Sequence, residues 1–399
     1  MKTIVFLHTD LRIYWPARLN VFRDHISNFG YDLIVIEIAG DGGNYAFDQT
    51  NRPNDYWECL FPEYSMTELK PVEIQKALIQ RLKSLNPSVL IAGALAFSSG
   101  ALAIKYSVQQ NIPLILFDDA KLEDVKRNQF INWIKKQLYS GVDAIFCPSS
   151  EWDATFRFFG FDKNRLFYGV NVVDNNFFKR QHQNEEKNEY QIPNGYFLNI
   201  GRQIEKKNLL LILNAYEILQ NKVVDCPHLL FVGDGESRST MENFVTTQYL
   251  KNVHSIPFQS QEKLLKIYHH ASLFILPSLY AETWGLVINE AMAASLPVAV
   301  SNKVGCASTL VKEHINGFTF DPVNPVELSK KLAAFIRLNQ DIKGRMGRAA
   351  EKEIEKWDLD RFTKSLFDAV KFTENNPKRK ITHIGRFLSK IWKGRYRPI

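Results

Sequence analysis

Short apolar runs alternate with amphipathic helical stretches along almost the whole chain, and this alternation limits the fold more than any other feature of the sequence. The runs are apolar throughout, which is typical of parallel strands that are buried on both faces. They read IVFLH, DLIVIEI, SVLIAG, PLILF, DAIFCPS and LFYGV in the first half, and YFLNIG, HLLFVGDG, VHSIPF, LFILPS, PVAVSN and FTF in the second. The pattern predicts an α/β protein with two doubly wound, Rossmann-like parallel sheets, each covered by helices.

Length and one polar segment predict two domains. At 399 residues the chain exceeds the usual size of a single domain. Residues 178–195 are polar and charged with almost no apolar content, as expected of a linker. We therefore expect a first domain over residues 1–177 and a second over residues 196–356. Ligands of such sheets bind beyond the carboxyl ends of the strands, and two facing sheets would form a cleft.

The net charge of +7 is concentrated in residues 377–399, which hold eight Lys and Arg and no Asp or Glu. Apolar residues recur in this tail at helical spacing with cations between them, namely Ile384, Phe387, Leu388, Ile391 and Trp392. The functional interpretation is a basic amphipathic helix on an anionic membrane surface. The alternatives are a solvated tail or a helix docked on the protein's own surface. No nucleic-acid-binding module accompanies the tail, so nucleic acid is not an expected partner.

The remaining composition favours a cytoplasmic protein. No apolar run approaches the roughly 20 residues of a membrane-spanning helix, and Asp10 and Arg12 interrupt the amino-terminal segment before a signal-peptide core is complete. The four cysteines are scattered, which favours reduced thiols over a disulfide framework or a zinc site. We expect a soluble protein, held by its tail at the inner face of the cytoplasmic membrane.

Two glutamates separated by seven residues flank a glycine in the segment ETWGLVINE, from Glu282 to Glu290. If a helix begins near Gly285, Glu290 lies on its second turn and Glu282 in the preceding loop. The N–H groups at the helix start, those of Gly285, Leu286 and Val287, then point outward and suit a phosphate. Carboxylates only accept hydrogen bonds, so they suit sugar and ribose hydroxyls. The spacing alone is common, and two surface glutamates are the alternative explanation.

The wider sequence around these glutamates has a distinctive order. The strand ASLFILPS, the loop LYAET, the helix WGLVINEAMAAS and the strand LPVAVSN follow one another, then VGCASTLV and NGFTFDP. This stretch resembles the signature of the retaining nucleotide-sugar glycosyltransferases of family 4. The resemblance extends to about Phe372 and implies the glycosyltransferase-B architecture, with the donor bound by the second domain. It also implies that a helix within residues 357–376 crosses back onto the first domain.

A second group of candidate residues follows the strand YFLNI. Arg202 and Lys207 lie in the turn GRQIEKKN, where Arg202 could fork onto phosphate oxygens and Lys207 could place a point charge. Alone, such cations are more often solvated surface charges, and the helix dipole disfavours them at a helix start. The resemblance matches them to the phosphate-binding Arg and Lys of the family, with Lys206 as the competing lysine.

The resemblance implies further donor contacts. It places Gly233 and Asp234 near the nucleotide, although a Gly-Asp-Gly turn by itself is ordinary turn chemistry. It places Phe258, in the segment VHSIPF, at the base. This chain has Pro257 and Phe258 where the family usually has a glycine, which leaves the identity of the base open.

The first domain departs more from the family pattern. The loop after its first strand carries Asp10, Arg12 and Arg18 in place of the glycines of many relatives. Arg12 or Arg18 would meet an acidic acceptor or the donor phosphate, with surface ion pairs as the alternative. Asp118 follows the strand PLILF where some relatives have a histidine, and it is a candidate polar contact to the acceptor.

Residues and resemblance together predict a retaining hexosyltransferase that moves a sugar from a nucleotide diphosphate sugar to a hydroxyl acceptor. The expected acceptor is a lipid-linked glycan or another precursor of surface polysaccharide or glycoconjugate. No metal or other cofactor is expected, because Arg202, Lys207 and the helix start would supply the positive field. The alternatives are a non-catalytic protein that binds a sugar nucleotide or glycan, and a phosphorylase or epimerase on the same fold.

Overall fold

The computed structural model describes residues 1–9, 11, 13–41, 55–124, 128–180 and 190–394. Contacts divide the chain into two compact units. The first unit is Met1–Val172 together with Leu359–Ile399, and the second is Val173–Asp358. The carboxyl-terminal segment therefore belongs to the first unit.

Strands and helices alternate along the described residues. The strands are β1 (Lys2–His8), β2 (Tyr31–Asp41), β3 (Trp57–Ser65), β4 (Val89–Ala92), β5 (Leu114–Phe117), β6 (Ala144–Cys147), β7 (Leu166–Tyr168), β8 (Tyr196–Ile200), β9 (Leu229–Val232), β10 (Val253–Ile256), β11 (Ala271–Leu276), β12 (Val298–Ser301) and β13 (Gly317–Phe320). The helices are α1 (Trp15–Ser27), α2 (Pro71–Leu85), α3 (Ser98–Gln110), α4 (Gln129–Tyr139), α5 (Asp153–Phe158), α6 (Asn175–Lys179), α7 (Leu209–Gln220), α8 (Arg238–Thr247), α9 (Gln261–His270), α10 (Leu286–Ala293), α11 (Ala307–Leu310), α12 (Pro325–Arg337), α13 (Gln340–Ile354), α14 (Leu359–Asn375) and α15 (His383–Ile391).

Each unit is built on one parallel sheet. The first sheet has the strand order β3-β2-β1-β4-β5-β6-β7, and the second has the order β10-β9-β8-β11-β12-β13. Every pair of neighbouring strands is parallel. The strand order reverses between β1 and β4 in the first sheet and between β8 and β11 in the second. The prediction of an α/β protein with two doubly wound parallel sheets is confirmed.

The continuously apolar runs form the central strands. Every residue of β4, β5, β6, β8, β9 and β12 is buried, as expected for strands covered by helices on both faces. The sequence pattern missed β3, which contains Glu58, Pro62 and Glu63. This strand lies at the edge of the first sheet, where proline and charged residues are tolerated because one side forms no ladder.

The core of the second unit anchors the segment that carries the candidate cations. Helix α7 follows that segment directly and buries seven side chains against the sheet and α12, namely Leu209, Leu211, Ile212, Leu213, Ala215, Tyr216 and Leu219. The hydroxyl of Tyr216 donates to the carbonyl oxygen of Pro227 at 2.6 Å. Burial of an almost wholly apolar helix fixes the position of the turn before it.

The carboxyl-terminal segment packs within the first unit. Helix α14 contacts α1 and the strands β5, β6 and β7, and buries Phe362, Leu366 and Val370. Of the expected linker, residues 178–195, the end of α6 is helical and residues 181–189 lie outside the described residues. Among the described residues, no helix has the length and apolar character required to cross a bilayer.

Two glycines of α13 provide a test of the packing in the second unit. A Cβ at Gly347 would lie 2.1 Å from the carbonyl oxygen of Ser295, so Gly347→Ala must displace backbone. We expect this variant to lower the free energy of unfolding by about 1–3 kcal/mol. Gly344→Ala is the matched control, because its Cβ would meet only the mobile end of Arg348 at 3.3 Å.

The control variant should be as stable as wild type or more stable by up to about 1 kcal/mol, since alanine favours helix over glycine. Thermal and urea unfolding of the three proteins measure both effects. Equal stability of Gly347→Ala and Gly344→Ala would contradict the close approach of α13 to Ser295.

Candidate functional site

The two halves of the predicted donor site meet where the strand order of the second sheet reverses. Strand β8 ends at Ile200 and leads into the turn with Arg202 and Lys207, and its neighbour β11 ends at Leu276 and leads into the loop with Glu282. Helices on opposite faces of the sheet diverge at such a reversal and leave room for a ligand beyond the carboxyl ends of the strands. Residues 75 positions apart in the chain thus become neighbours.

An ion pair joins the two halves. The ammonium group of Lys207 donates a hydrogen bond to Oε2 of Glu282, and the two side chains are only 14% and 16% exposed. The hydroxyl of Ser278 donates to the same oxygen at 2.9 Å. Burial raises the pKa of Glu282, but the charge and hydrogen bond of Lys207, with Ser278 and Lys206, hold it below its ordinary value. Glu282 is therefore an ionised acceptor at neutral pH.

Two further cations, Arg202 and Lys206, accompany the ion pair. Burial lowers the pKa of Lys206, the charges of Arg202 and Lys207 lower it further, and only Glu282 raises it. Three cations thus share the region with Glu282, and Lys207 is the one paired with it. A cluster of cations of this kind is typical of sites that take an anionic ligand.

The turn that carries the cations is held by backbone and amide hydrogen bonds. Asn208 adopts the left-handed conformation, with φ of 54°, immediately before α7. The side-chain nitrogen of Asn208, Nδ2, donates to the carbonyl oxygens of Pro277 at 3.2 Å and Pro322 at 2.8 Å. The N–H of Leu279 donates to the carbonyl oxygen of Lys206 at 2.9 Å. These bonds fix the turn after β8 against the loop after β11.

Helix α10 begins directly after Gly285, as predicted. Gly285 has φ of 94°, and a Cβ there would lie 2.9 Å from Leu276 Cδ2, so both backbone and packing favour glycine. No side chain caps the helix start. Within the described part of the chain, the N–H groups of Leu286 and Val287 donate to no protein acceptor. Such N–H groups suit an anion, and their role towards a phosphate stays a prediction.

Glu290 lies on the second turn of α10 and is 2% exposed. Its Oε2 accepts a hydrogen bond of 2.6 Å from the hydroxyl of Tyr268, which fixes the carboxylate. Sequence reasoning missed Tyr268, because it lies on α9, inside an ordinary amphipathic helix with no motif around it. The role of Glu290 towards a ribose stays a prediction.

The glycine turn after β9 has a packing role that the sequence did not reveal. A Cβ at Gly233 would lie 2.0 Å from the carbonyl oxygen of Gly201, because the ends of β8 and β9 approach closely. Asp234 is exposed, and its Oδ1 accepts from the N–H of Gly235 at 2.8 Å. Phe258 follows the edge strand β10 and is 42% exposed. The turn and Phe258 both lie at the carboxyl edge of the sheet, where the site is.

The first unit holds the acceptor-side candidates. Asp118 is buried, and its oxygens accept from the hydroxyl of Tyr139 at 2.6 Å and the N–H of Ala120 at 3.0 Å, which gives it a structural role in this unit. Arg18 is also buried, and its Nε donates to the carbonyl oxygen of Val172 at 2.9 Å. Burial lowers the pKa of Arg18 to about 10, so it stays charged at neutral pH. Arg12 lies outside the described residues.

Sequence reasoning also missed His8, the last residue of β1. Burial lowers its pKa to about 4, so the imidazole is neutral at pH 7. Its Nδ1 accepts from the N–H of Thr9 at 2.6 Å, and its ring stacks on Phe117 with centroids 5.0 Å apart. The sequence feature that could have indicated His8 is a polar residue at the end of an apolar strand. In the structure this strand lies at the reversal point of the first sheet.

Comparison with known proteins finds a family model that matches most of the second unit. Residues 180–353 match the family model "Glycosyl transferases group 1". The matched range contains Arg202, Lys207, Glu282 and Glu290, so the geometry described above lies within the matched residues.

Two similar proteins align with most of the chain. Sulfoquinovosyl transferase SQD2 of Arabidopsis thaliana is 24% identical over 366 residues, which cover 86% of this chain and 68% of that protein. An uncharacterized glycosyltransferase of Haemophilus influenzae is 26% identical over 339 residues, which cover 82% of this chain and 90% of that protein.

Solved structures establish the fold. A glycosyltransferase from Rickettsia africae superposes with a TM-score of 0.73 at 16% identity, covering 94% of this chain and 99% of that one. HepE from Anabaena in complex with UDP gives a TM-score of 0.72 at 18% identity, covering 93% of this chain and 100% of that one. The glycosyltransferase-B fold expected from the sequence is confirmed.

The ion pair makes stability depend on pH. Glu282→Gln leaves Lys207 partly buried without its anionic partner, so we expect a loss of about 1–3 kcal/mol in the free energy of unfolding at pH 7. The pKa of Glu282 is lowered from 4.5 by folding, so its carboxylate stabilises the fold above pH 4.5. The difference between wild type and variant should shrink as the pH falls through the lowered pKa, because the wild-type carboxyl then becomes protonated too.

Urea unfolding between pH 3.5 and 7.5 measures this difference. Glu242→Gln is the control, because Glu242 forms an exposed pair with Arg238 and should contribute less than about 0.5 kcal/mol. A constant difference between wild type and Glu282→Gln across this pH range would show that the pair does not exist in solution.

Proposed function

We propose that this protein is a retaining glycosyltransferase of family 4 that transfers a hexose from a nucleotide diphosphate sugar to a hydroxyl acceptor. The observation that carries the proposal is the Lys207–Glu282 pair, which lies in a cluster of cations at the reversal point of the second sheet. An anion-binding helix start and a sugar-binding carboxylate within one site are what a sugar diphosphate requires.

The cations and the start of α10 would bind the diphosphate. Arg202 would fork onto phosphate oxygens, and Lys207 would share its ammonium group between Glu282 and a phosphate. The N–H groups of Leu286 and Val287 would add dipolar stabilisation. These groups neutralise the charge that develops on the leaving diphosphate, so we propose that transfer does not require a divalent metal.

Glu282 would orient the transferred sugar. Its Oε2 is occupied by Lys207 and Ser278, whereas Oε1 has no protein partner within the described residues. That oxygen is available for a sugar hydroxyl, in the ionised state that makes it a strong acceptor. Glu290, fixed by Tyr268, would accept from the hydroxyls of the ribose.

Retention would follow from substitution on one face of the sugar. The bond from the anomeric carbon to the diphosphate oxygen breaks through an oxocarbenium-like state, and the acceptor oxygen bonds to the same face. The acceptor proton passes to the departing phosphate oxygen, so no protein base is required. The cations of the site would lower the barrier by stabilising that phosphate.

The proposed acceptor is a lipid-linked glycan or another precursor of surface polysaccharide, at the inner face of the cytoplasmic membrane. The relatives that support this choice include an amylovoran biosynthesis glycosyltransferase of Erwinia amylovora, at 29% identity over 150 residues. HepE from Anabaena has been solved with UDP and with UDP-glucose, so UDP is the first nucleotide to test.

Lys207 should contribute directly to nucleotide affinity. We expect Lys207→Ala to weaken the binding of UDP by about tenfold or more, because a charged hydrogen bond to phosphate contributes roughly 1.5–3 kcal/mol. Isothermal titration calorimetry measures the effect at constant ionic strength. Lys331→Ala is the control, since Lys331 pairs with Glu313 and Glu327 elsewhere in the same unit and should leave UDP affinity unchanged. Equal affinity of Lys207→Ala and wild type would exclude Lys207 from the phosphate site.

Glu282 should contribute to turnover more than to nucleotide binding. We expect Glu282→Gln to lower kcat by about 100-fold or more, since the neutral amide loses the charge that orients the sugar in the transition state. Its affinity for UDP should stay within a few-fold of wild type. A donor panel with radiolabelled sugars measures transfer and donor hydrolysis. Wild-type turnover in Glu282→Gln would refute this role, and UDP binding without turnover of any donor would favour the non-catalytic alternative.

A further inference from the structure

Helix α15 packs on the first unit through small and polar residues. It lies against α4 and α3, and Gly385 and Ser389 are buried in the contact. A Cβ at Gly385 would lie 2.3 Å from the carbonyl oxygen of Gln137 on α4. The hydroxyl of Thr382 donates to the side-chain oxygen of Gln137 at 2.8 Å. Thr382, Gly385 and Ser389 follow the i, i+3, i+7 spacing of one helix face, on which Gly385 and Ser389 are buried and Thr382 bonds to α4 at the exposed end.

The large apolar residues of α15 lie on the opposite face. Ile384 is 47% exposed, Phe387 is 62% exposed and Ile391 is 56% exposed. A surface helix ordinarily turns such a stripe towards the core. The alternative of a helix docked on the protein's own surface is confirmed, since α15 packs on α4 and α3, but these three residues stay exposed in that arrangement. Trp392 differs from them, since its Nε1 donates to the carbonyl oxygen of Leu95 at 2.8 Å.

Helix α4 extends the exposed apolar area. Phe130 is 61% exposed and Trp133 is 41% exposed, and their rings stack with centroids 5.8 Å apart. Phe130, Trp133 and Gln137 follow the i, i+3, i+7 spacing of one face of α4, and Gln137 touches the start of α15. We name Phe130, Trp133, Ile384, Phe387 and Ile391 together the apolar face of the first unit.

Cations on both helices border this face. Arg386 and Lys390 are exposed on α15, and Lys136 is exposed on α4. Neither helix contains an Asp or Glu. Other cations of the tail have internal roles: Lys378 donates to the carbonyl oxygen of Ser107 at 2.9 Å, and Arg379 donates to that of Gly160 at 2.8 Å. The tail is thus anchored by some of its cations and presents the others outward.

We propose that the apolar face of the first unit inserts into the interface of an anionic lipid bilayer, with Arg386 and Lys390 against the headgroups. Apolar and aromatic side chains bordered by Lys and Arg, without acidic residues, match the chemistry of that interface. The absence of acidic residues from both helices makes an anionic surface a better match than a neutral one. The inference deepens the membrane part of the proposed function and rests on it, since a transferase acting on a lipid-linked acceptor works at a bilayer.

Vesicle co-sedimentation of the full chain tests the proposal. Wild type should bind vesicles of phosphatidylcholine with 30% phosphatidylglycerol at least tenfold more tightly than vesicles of phosphatidylcholine alone. Phe387→Ser/Ile391→Ser and Phe130→Ser/Trp133→Ser should each lower binding to anionic vesicles about tenfold or more. Arg386→Gln/Lys390→Gln should lower binding and weaken its dependence on salt. Point variants are preferable to deletion of the tail, because Lys378 and Arg379 bond to the body of the unit.

Ile315→Ser is the matched control, because Ile315 is 62% exposed, as Phe387 is, but lies in the second unit. It should bind vesicles as wild type does. Vesicle binding that is absent in wild type, or unchanged in both apolar double variants, overturns the proposal. A third outcome also overturns the proposal: wild type is a dimer that does not bind vesicles, and Phe387→Ser/Ile391→Ser is a monomer. The face would then bind a second copy of the chain.

The same variants separate this inference from the proposed function. The affinity for UDP, measured by calorimetry without lipid, should be unchanged in each of them, because every substitution lies in the first unit outside the donor site. If wild type does not bind UDP, the proposed donor site is refuted. The vesicle experiment then still tests the proposed membrane surface independently. UDP binding with no vesicle binding would refute the membrane surface alone.

Discussion

The ion pair between Lys207 and Glu282 is the interaction on which the candidate site depends. It joins the loops after β8 and β11, which are neighbours in the sheet although they are far apart in the chain. A buried ion pair seldom adds net stability, because the loss of hydration offsets the Coulomb attraction. The charges of Arg202 and Lys207 and burial all lower the pKa of Lys206, so the pair lies in a cluster of cations. Burial alone would raise the pKa of Glu282, whereas Lys207, with Ser278 and Lys206, holds it below the ordinary value.

Packing of the second unit keeps these charges in place. Helix α7 is anchored by its apolar side chains, and Asn208 ties the start of that helix to the loop after β11. A Cβ at Gly233 or Gly285 would clash with neighbouring atoms. Sites built on rigid elements hold charged groups in a fixed geometry, and binding then costs little reorganisation. The glycines at the site therefore support it through packing, whether or not they also touch a ligand.

Two consecutive helices of the carboxyl-terminal segment have similar amphipathic patterns, but one buries its apolar stripe and the other exposes it. Helix α14 buries its apolar stripe, including Phe362 and Leu366, against α1 and the sheet. Helix α15 turns Phe387 and Ile391 outward and docks through its small residues. The difference arises from Gly385, which permits a close approach to α4 that a larger residue would prevent. Amphipathic spacing predicts a helix, whereas the neighbours of the helix decide which face is buried.

The sequence by itself determined the α/β class and all strands with continuous apolar runs, because burial on both faces requires such runs. It also indicated a helix start at Gly285, since glycine there is a local requirement of the backbone. It did not indicate β3, because an edge strand needs no such run. Only the tertiary structure decided that Lys207 pairs with Glu282 and that Tyr268 fixes Glu290. It also decided that both carboxylate oxygens of Asp118 accept hydrogen bonds within the first unit. These contacts join distant segments, and the spacing of residues along a chain carries no information on which strand ends become neighbours.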